Sequence, residues 1–153
     1  MNDEEDDHKK RSISVRISAS DHEKIKTIAT RLRVRESKVF RFAVKMTLAE
    51  LAPLSDFAVC GKDLLPVFID HGDALSNHFE LDLARLEKLI NGDVAEEIRK
   101  VDRDDLELIS GMPESYLHAK LSRLTQRNIE PFRLTDSLRE YLLSKYVNTQ
   151  EEG

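Results

Sequence analysis

The chain has 153 residues, of which 40% are hydrophobic and 35% are charged, as expected of a protein with a packed core and a densely charged surface. No apolar run approaches the roughly 18 residues of a membrane-spanning helix. The acidic N-terminus lacks the basic and apolar regions of a secretory signal. A single cysteine, Cys60, excludes an internal disulfide. These features predict a cytoplasmic protein with no membrane contact.

The net charge of −5 is distributed unevenly along the chain. Residues 1–7 contain five acids and no base. Residues 8–48 contain twelve lysines and arginines against three acids and carry +9, whereas residues 49–153 contain twelve bases against twenty-one acids and carry −9. A compact basic segment is typical of a protein that neutralises phosphates. A highly solvated surface is the alternative explanation.

The basic segment contains one predicted strand and two predicted helices. Residues 11–18 alternate, with Ile13, Val15 and Ile17 on one face, which predicts a strand. The period then becomes helical from Ala19, where Ser18 with Asp21 resembles a capping box. A second helical run covers RVRESKVFRFAVKMTLAEL and ends before Pro53.

The remainder of the chain is predicted to be helical. Periodic apolar stretches cover residues 81–90, 94–109, 116–124 and 134–146, whereas residues 78–83 alternate and allow a short strand instead. Predicted breaks lie at Gly61, Pro66, Gly72, Asn91-Gly92, Gly111 and Pro131. The predicted organisation is a disordered acidic N-terminus (1–8), a DNA-binding domain (9–53), a helical oligomerisation or interaction domain (54–147) and a disordered tail (148–153).

A lone strand with an apolar face has no partner within its own module. Two copies solve this problem by pairing their strands antiparallel about a two-fold axis, which buries Ile13, Val15 and Ile17 of both chains. The opposite face then forms a two-stranded ribbon that exposes Ser12, Ser14 and Arg16, and such a ribbon fits the DNA major groove. The pattern therefore predicts a homodimer, or a tetramer made from two such dimers.

The motifs KKRSISVRIS, SASDHEKIKTIATRL and RESKVFRFAVKMTL, in this order and of these lengths, resemble the Arc/MetJ/CopG-like ribbon-helix-helix family over residues 9–52. The resemblance implies a mainly α fold, with one β-strand and two helices per chain in an intertwined dimer. It also implies that Ser12, Ser14 and Arg16 read bases. Arginine suits this role because it can donate two hydrogen bonds to guanine.

The resemblance further implies phosphate contacts at the start of the second helix, around Glu36, Ser37 and Lys38. Basic residues before the strand add charge without reading sequence. The chain departs from the family in the turn between the helices, where Arg33 and Arg35 replace a glycine and a capping Ser or Thr. A left-handed Arg33 would cost about 1 kcal/mol unless the turn has a different shape. The predicted phosphate-binding residues are Lys9, Lys10, Arg11, Arg33, Arg35, Ser37 and Lys38.

Catalytic and metal-binding motifs are weak in this chain. No glycine-rich phosphate loop, nucleophile elbow or paired metal-ligand spacing is present, so neither an enzyme nor a cofactor is predicted. The best metal candidate is an irregularly spaced group around Gly72, which builds a turn more often than a site. Its members are Cys60, Asp70, His71, Asp73 and His78.

These patterns together predict a sequence-specific, DNA-binding transcriptional regulator, with repressor as the specific expectation. Its partners would be double-stranded DNA with palindromic or tandem half-sites and a second copy of the chain. The acidic helical region would set the oligomeric state, dock another protein or sense a small molecule. The alternatives are a DNA-binding accessory or assembly protein of plasmid maintenance or transfer, and an antitoxin-like protein-interaction module.

Overall fold

A computed structural model of the protein describes residues 10–148 and divides the chain into two compact units, Met1–Leu48 (unit 1) and Ala49–Gly153 (unit 2). The predicted disordered N-terminus (1–8), the predicted site residue Lys9 and all but the first residue of the predicted disordered tail (148–153) lie outside the described residues. Short 3-10 turns cover Ala52–Ser55, Gly61–Leu64, Glu97–Arg99 and Pro131–Arg133. The α-helices are α1 (Ala19–Leu32), α2 (Glu36–Glu50), α3 (Leu65–Phe79), α4 (Leu83–Asn91), α5 (Arg103–Glu107), α6 (Glu114–Thr125) and α7 (Leu134–Tyr146).

The predicted N-terminal strand is wrong. Residues 10–18 have no regular secondary structure, and every regular element between residues 10 and 148 is helical. A strand is defined by hydrogen bonds to a neighbouring strand, and no other described segment of this chain is a strand with which residues 11–18 could pair. The fold class is therefore all-helical, and the predicted strand-plus-two-helix ribbon module is not formed. The short strand considered at residues 78–83 is also absent, because α3 runs to Phe79 and Glu80 adopts a left-handed conformation.

The two predicted helices of unit 1 are confirmed. The Ser18 hydroxyl accepts a hydrogen bond from the Asp21 N–H at 3.1 Å, which satisfies one of the free donors at the start of α1. The second helix, α2, begins at Glu36 and ends at Glu50, before Pro53. Although both helices carry apolar side chains, Ala29 is the only buried residue among residues 10–48.

Unit 2 has a continuous hydrophobic core, through which α3 passes without a break. Pro66 lies in the first turn of α3, where a proline removes no helical hydrogen bond. Gly72 lies in the middle of α3, and a Cβ atom there would approach the Ile109 carbonyl oxygen to 3.0 Å. The breaks predicted at these two residues are therefore wrong. The most deeply buried side chains are Phe68, Leu65, Leu86, Ile90, Leu106, Leu108, Leu121, Leu142 and Asp105.

The helical run predicted over residues 94–109 is interrupted by a backbone segment that Asn91 holds. The Asn91 side chain donates to the Val101 carbonyl oxygen at 2.8 Å and accepts from the Val101 N–H at 2.9 Å. These two bonds replace the helical hydrogen bonds of Val101, so the run splits into the turn at Glu97–Arg99 and the short helix α5. The other predicted helices of unit 2 are confirmed as α4, α6 and α7.

Buried Asp105 connects α5 to α7. The exposed fraction of Asp105 is 1%, and its carboxylate accepts hydrogen bonds from the hydroxyls of Tyr141 (2.8 Å) and Tyr146 and from the Lys145 ammonium (2.7 Å). Burial and the hydrogen bond to Asp105 raise the pKa of Tyr146. Burial opposes the charge of Lys145, but hydrogen bonds to Asp105 and Asp102 outweigh it and raise its pKa. A buried carboxylate is tolerated here because several donors surround it.

Candidate nucleic-acid interface

The segment from Lys10 to Ser18 is exposed along its whole length. The predicted base-reading residues Ser12, Ser14 and Arg16 all face solvent, as do Lys10 and Arg11, which were predicted to contact phosphates. The apolar residues of the same segment are exposed as well, with exposed fractions of 85% for Ile13, 75% for Val15 and 40% for Ile17. Neither side of the segment is therefore covered in the single chain.

The turn between α1 and α2 has a left-handed residue at Arg33, which is the more strained of the two turn shapes considered from the sequence. Arg33 has a φ of +56° and ends α1 in the left-handed conformation. Its N–H donates to the carbonyl oxygens of Ala29 and Thr30, and the Val34 N–H donates to Ala29 at 3.0 Å. These bonds satisfy the free carbonyls at the helix end. The strain of a non-glycine residue is therefore tolerated, and Arg33 and Arg35 both face solvent.

The start of α2 already holds a carboxylate. The Glu36 side chain, in the first turn, lies 3.0 Å from the His22 ring nitrogen of α1. A carboxylate at this place complements the positive end of the helix dipole and repels an approaching phosphate. Ser37 and Lys38 are exposed beside it. The arrangement favours phosphate contacts through basic side chains over contacts through the backbone N–H groups of α2.

An apolar groove of about 650 Å³ lies between the second half of α1 and α2. Phe42 and Met46, one helical turn apart, lie along it, and neither was singled out from the sequence. Their spacing of four residues is the signal that could have revealed them. Three cations contribute to the lining, so the apolar surface has a basic border. The groove is lined by Ile28, Leu32, Val34, Lys38, Val39, Arg41, Phe42, Ala43, Lys45 and Met46.

The candidate metal ligands of unit 2 do not converge. His71 lies 3.0 Å from Glu50, and Asp70 pairs with Arg139. No group of three or more His, Cys, Asp or Glu side chains between residues 10 and 148 is placed to share a metal ion. The structure therefore gives no support to the metal site considered around Gly72.

The second ionic cluster of unit 2 lies between α5 and α6. Lys120, with an exposed fraction of 5%, donates to Glu107 at 2.5 Å, and the Tyr116 hydroxyl donates to the same carboxylate at 2.8 Å. These hydrogen bonds lower the pKa of Glu107. The hydrogen bond to Glu107 raises the pKa of Tyr116. Because every group in the cluster already has a partner, it is best explained as a structural link between helices.

No helix in the described part of the chain has the length and apolarity needed to cross a bilayer. No protein-family model, no curated protein and no solved structure matches this chain.

Proposed function

We propose that this chain is a homodimeric, sequence-specific DNA-binding regulator of the cytoplasm, with repression as its simplest mode of action. The observation that carries the proposal is the separation of charge, with +9 on residues 8–48 and −9 on residues 49–153. Contacts to phosphates supply most of the affinity of proteins for DNA. A net acidic protein that carries a net charge of +9 on one small segment therefore has the charge distribution that DNA binding requires.

The positions of the cations support the same proposal. Arg16, Arg33, Arg35 and Lys38 are all exposed, and no described residue forms an ion pair with them. Their charges are available to phosphates and base edges. Arg16 is the expected base-reading residue, because its guanidinium matches the two acceptors of guanine, and Ser12 and Ser14 would add adaptable hydrogen bonds. This mode uses the exposed segment 10–18 as an arm and requires no β-ribbon.

A second copy of the chain is the expected cover for the groove of unit 1. Only Ala29 is buried in the described part of this unit, whereas Leu32, Phe42 and Leu48 are each more than 60% exposed. A unit with so little buried apolar surface cannot offset the entropy of folding by itself. Two identical grooves can cover one another about a two-fold axis, as most homodimers do. A dimer would also double the number of cations that face DNA.

The experiment is selection of bound DNA from a random pool, followed by fluorescence anisotropy on the enriched sequence. We expect affinity to fall by about 0.9 log units per phosphate contact for each tenfold rise in salt. Arg16→Ala should cost about 1–3 kcal/mol on the selected sequence and much less on unselected DNA. Lys38→Ala should weaken binding to all sequences alike.

Arg127→Ala is the matched control, because Arg127 is also exposed but belongs to acidic unit 2. It should leave DNA affinity unchanged. The proposal is wrong if the selection enriches no sequence, or if Arg16→Ala binds every sequence as tightly as the unmodified protein.

A protein-docking function is the second candidate, and the basic border of the groove favours it. An acidic amphipathic helix could place its apolar face on Phe42 and Met46 and its carboxylates near Lys38, Arg41 and Lys45. In that case DNA binding would be weak and insensitive to sequence. The same selection experiment therefore distinguishes the two functions.

A further inference from the structure

Unit 2 contains a cavity of about 500 Å³ at the junction of α3, α6, α7 and the segment that follows α5. This volume lies within the range of about 300–1,000 Å³ that is typical of small-molecule sites. The cavity is formed entirely within unit 2 and includes no residue of the basic unit.

The inner wall of the cavity is apolar and belongs to the core. Phe68 and Ile109 are each no more than 2% exposed, and Leu117 and Leu134 are 8% and 7% exposed. These residues come from four separate parts of the fold and are held in place by the packing around them. The wall is therefore preformed, which lowers the free-energy cost of binding an apolar group.

The polar lining of the cavity is acidic. Three carboxylates, Asp70, Asp73 and Glu114, and one imidazole, His71, line it, and the lining contains no lysine or arginine. Asp70 pairs with Arg139 from outside the lining, and His71 contacts Glu50. Within residues 10–148, no hydrogen bond or ion pair engages the side chain of Asp73 or of Glu114. Two carboxylates thus remain available beside an apolar wall.

We propose that this cavity binds a small organic cation with a hydrocarbon body, such as an alkylammonium or alkylguanidinium compound. The hydrocarbon would occupy the wall around Phe68 and Leu117, and the cationic head would lie near Asp73 and Glu114. An anion would meet Asp73 and Glu114, which have no compensating Lys or Arg among the described residues, so the lining selects for positive charge. A neutral compound would use only the apolar wall.

The test compares three probes with the same six-carbon chain: hexylammonium, hexanol and hexanoate. Binding to the full chain is measured by ligand-observed NMR and isothermal titration calorimetry. Hexylammonium should bind more tightly than hexanol, and hexanoate should bind weakest. The double variant Asp73→Asn with Glu114→Gln should weaken hexylammonium by roughly two- to tenfold and leave hexanol unchanged.

Two further variants complete the test. Asp93→Asn with Glu96→Gln removes the same charge from exposed positions outside the cavity, and this variant should bind all three probes like the unmodified protein. Ala74→Phe fills the cavity from an exposed lining position and should abolish binding of all three probes. Thermal unfolding confirms that each variant is folded.

The proposal is overturned by any of three results. Hexylammonium could fail to bind up to about 10 mM, which corresponds to a binding free energy weaker than about −3 kcal/mol. It could bind no better than hexanol or hexanoate. Finally, the double variant at Asp73 and Glu114 could bind hexylammonium as tightly as the variant at Asp93 and Glu96 does.

Discussion

The two units of this chain differ in how much apolar surface they cover by themselves. Unit 2 buries leucines, isoleucines and Phe68 in a continuous core and adds ionic links around Asp105 and Glu107. In unit 1 the only buried residue of the described part is Ala29, although its helices carry more apolar side chains than basic ones. Unit 2 is therefore fully packed as a single chain, whereas unit 1 has the surface of half an interface.

The largest expected effect follows from removing one phenylalanine from each unit. Phe68→Ala in the core of unit 2 should lower the free energy of unfolding by about 3–5 kcal/mol, independently of protein concentration. Phe42→Ala in unit 1 removes a side chain that is 64% exposed in the single chain, so it would cost little in a monomer. If the groove is the dimer interface, Phe42→Ala should instead raise the dissociation constant of the dimer. Chemical denaturation and analytical ultracentrifugation measure the two effects.

Phe57→Ala is the control for this pair, because Phe57 in unit 2 is 99% exposed. It should change neither the mass in solution nor the stability. An unmodified protein that sediments as a monomer at all concentrations would contradict the contrast between the two units.

An intermediate effect is expected at Tyr146 in the ionic link of unit 2. Tyr146→Phe removes the hydroxyl that donates to Asp105 and accepts from the Asp102 N–H, so it should cost about 1–3 kcal/mol near neutral pH. Because folding raises the pKa of Tyr146 above its ordinary value of 10.0, the folded state holds this proton more tightly. The stabilisation is therefore complete below pH 10 and decreases as the pH rises further.

Urea denaturation of both proteins from pH 7 to alkaline pH measures this difference. The difference in free energy of unfolding between the unmodified protein and Tyr146→Phe should decrease above pH 10. Tyr116→Phe should cost less free energy of unfolding at every pH, because Tyr116 is 41% exposed. If this difference in free energy of unfolding stays constant into the alkaline range, the Tyr146 hydroxyl does not titrate as the geometry implies.

The smallest expected effect concerns the left-handed residue of unit 1. Arg33→Gly should stabilise unit 1 by up to about 1 kcal/mol, because glycine adopts a positive φ without steric cost. The same change removes a cation from the proposed DNA-binding surface and should weaken binding to all DNA sequences. Thermal unfolding should therefore show a higher melting temperature, while fluorescence anisotropy should show a lower affinity for DNA.

Glu80→Gly and Gln126→Gly are matched controls, because both residues end helices of unit 2 with a positive φ. They should stabilise unit 2 by a similar amount and leave DNA affinity unchanged. An Arg33→Gly variant that is stabilised but binds DNA normally would remove Arg33 from the proposed interface.

Local signals in the sequence predicted the local features of the fold. The Ser18 cap, both helices of unit 1 and three helices of unit 2 depend on contacts within a few residues, and all were found. The predicted strand failed because alternation is local, whereas strand formation depends on a partner. The helix predicted over residues 94–109 failed because a side chain ten residues away from Val101 bonds to its backbone.

Sequence reasoning could name the candidate site residues in unit 1 but could not group them in space. Arg16 and Lys38 were selected by charge and by the family resemblance, and Arg33 by its charge alone. The structure places each of them in solvent. The groove of unit 1 and the cavity of unit 2 could not be predicted, because each is formed by side chains from separate elements. The cavity of unit 2 combines residues as distant in sequence as Phe68 and Leu138.

The two hydrogen bonds between the Asn91 side chain and the Val101 backbone also affect the chemical stability of Asn91. An asparagine followed by glycine is prone to deamidation, because the next backbone nitrogen attacks the side-chain carbonyl. Here the Gly92 nitrogen donates to the Lys88 carbonyl oxygen at 2.9 Å, while both ends of the Asn91 amide bond to Val101. The Gly92 nitrogen and the Asn91 side-chain amide are thus both held by hydrogen bonds while this segment stays folded. Deamidation at Asn91 therefore requires local opening of this segment, and its rate reports how often the segment opens.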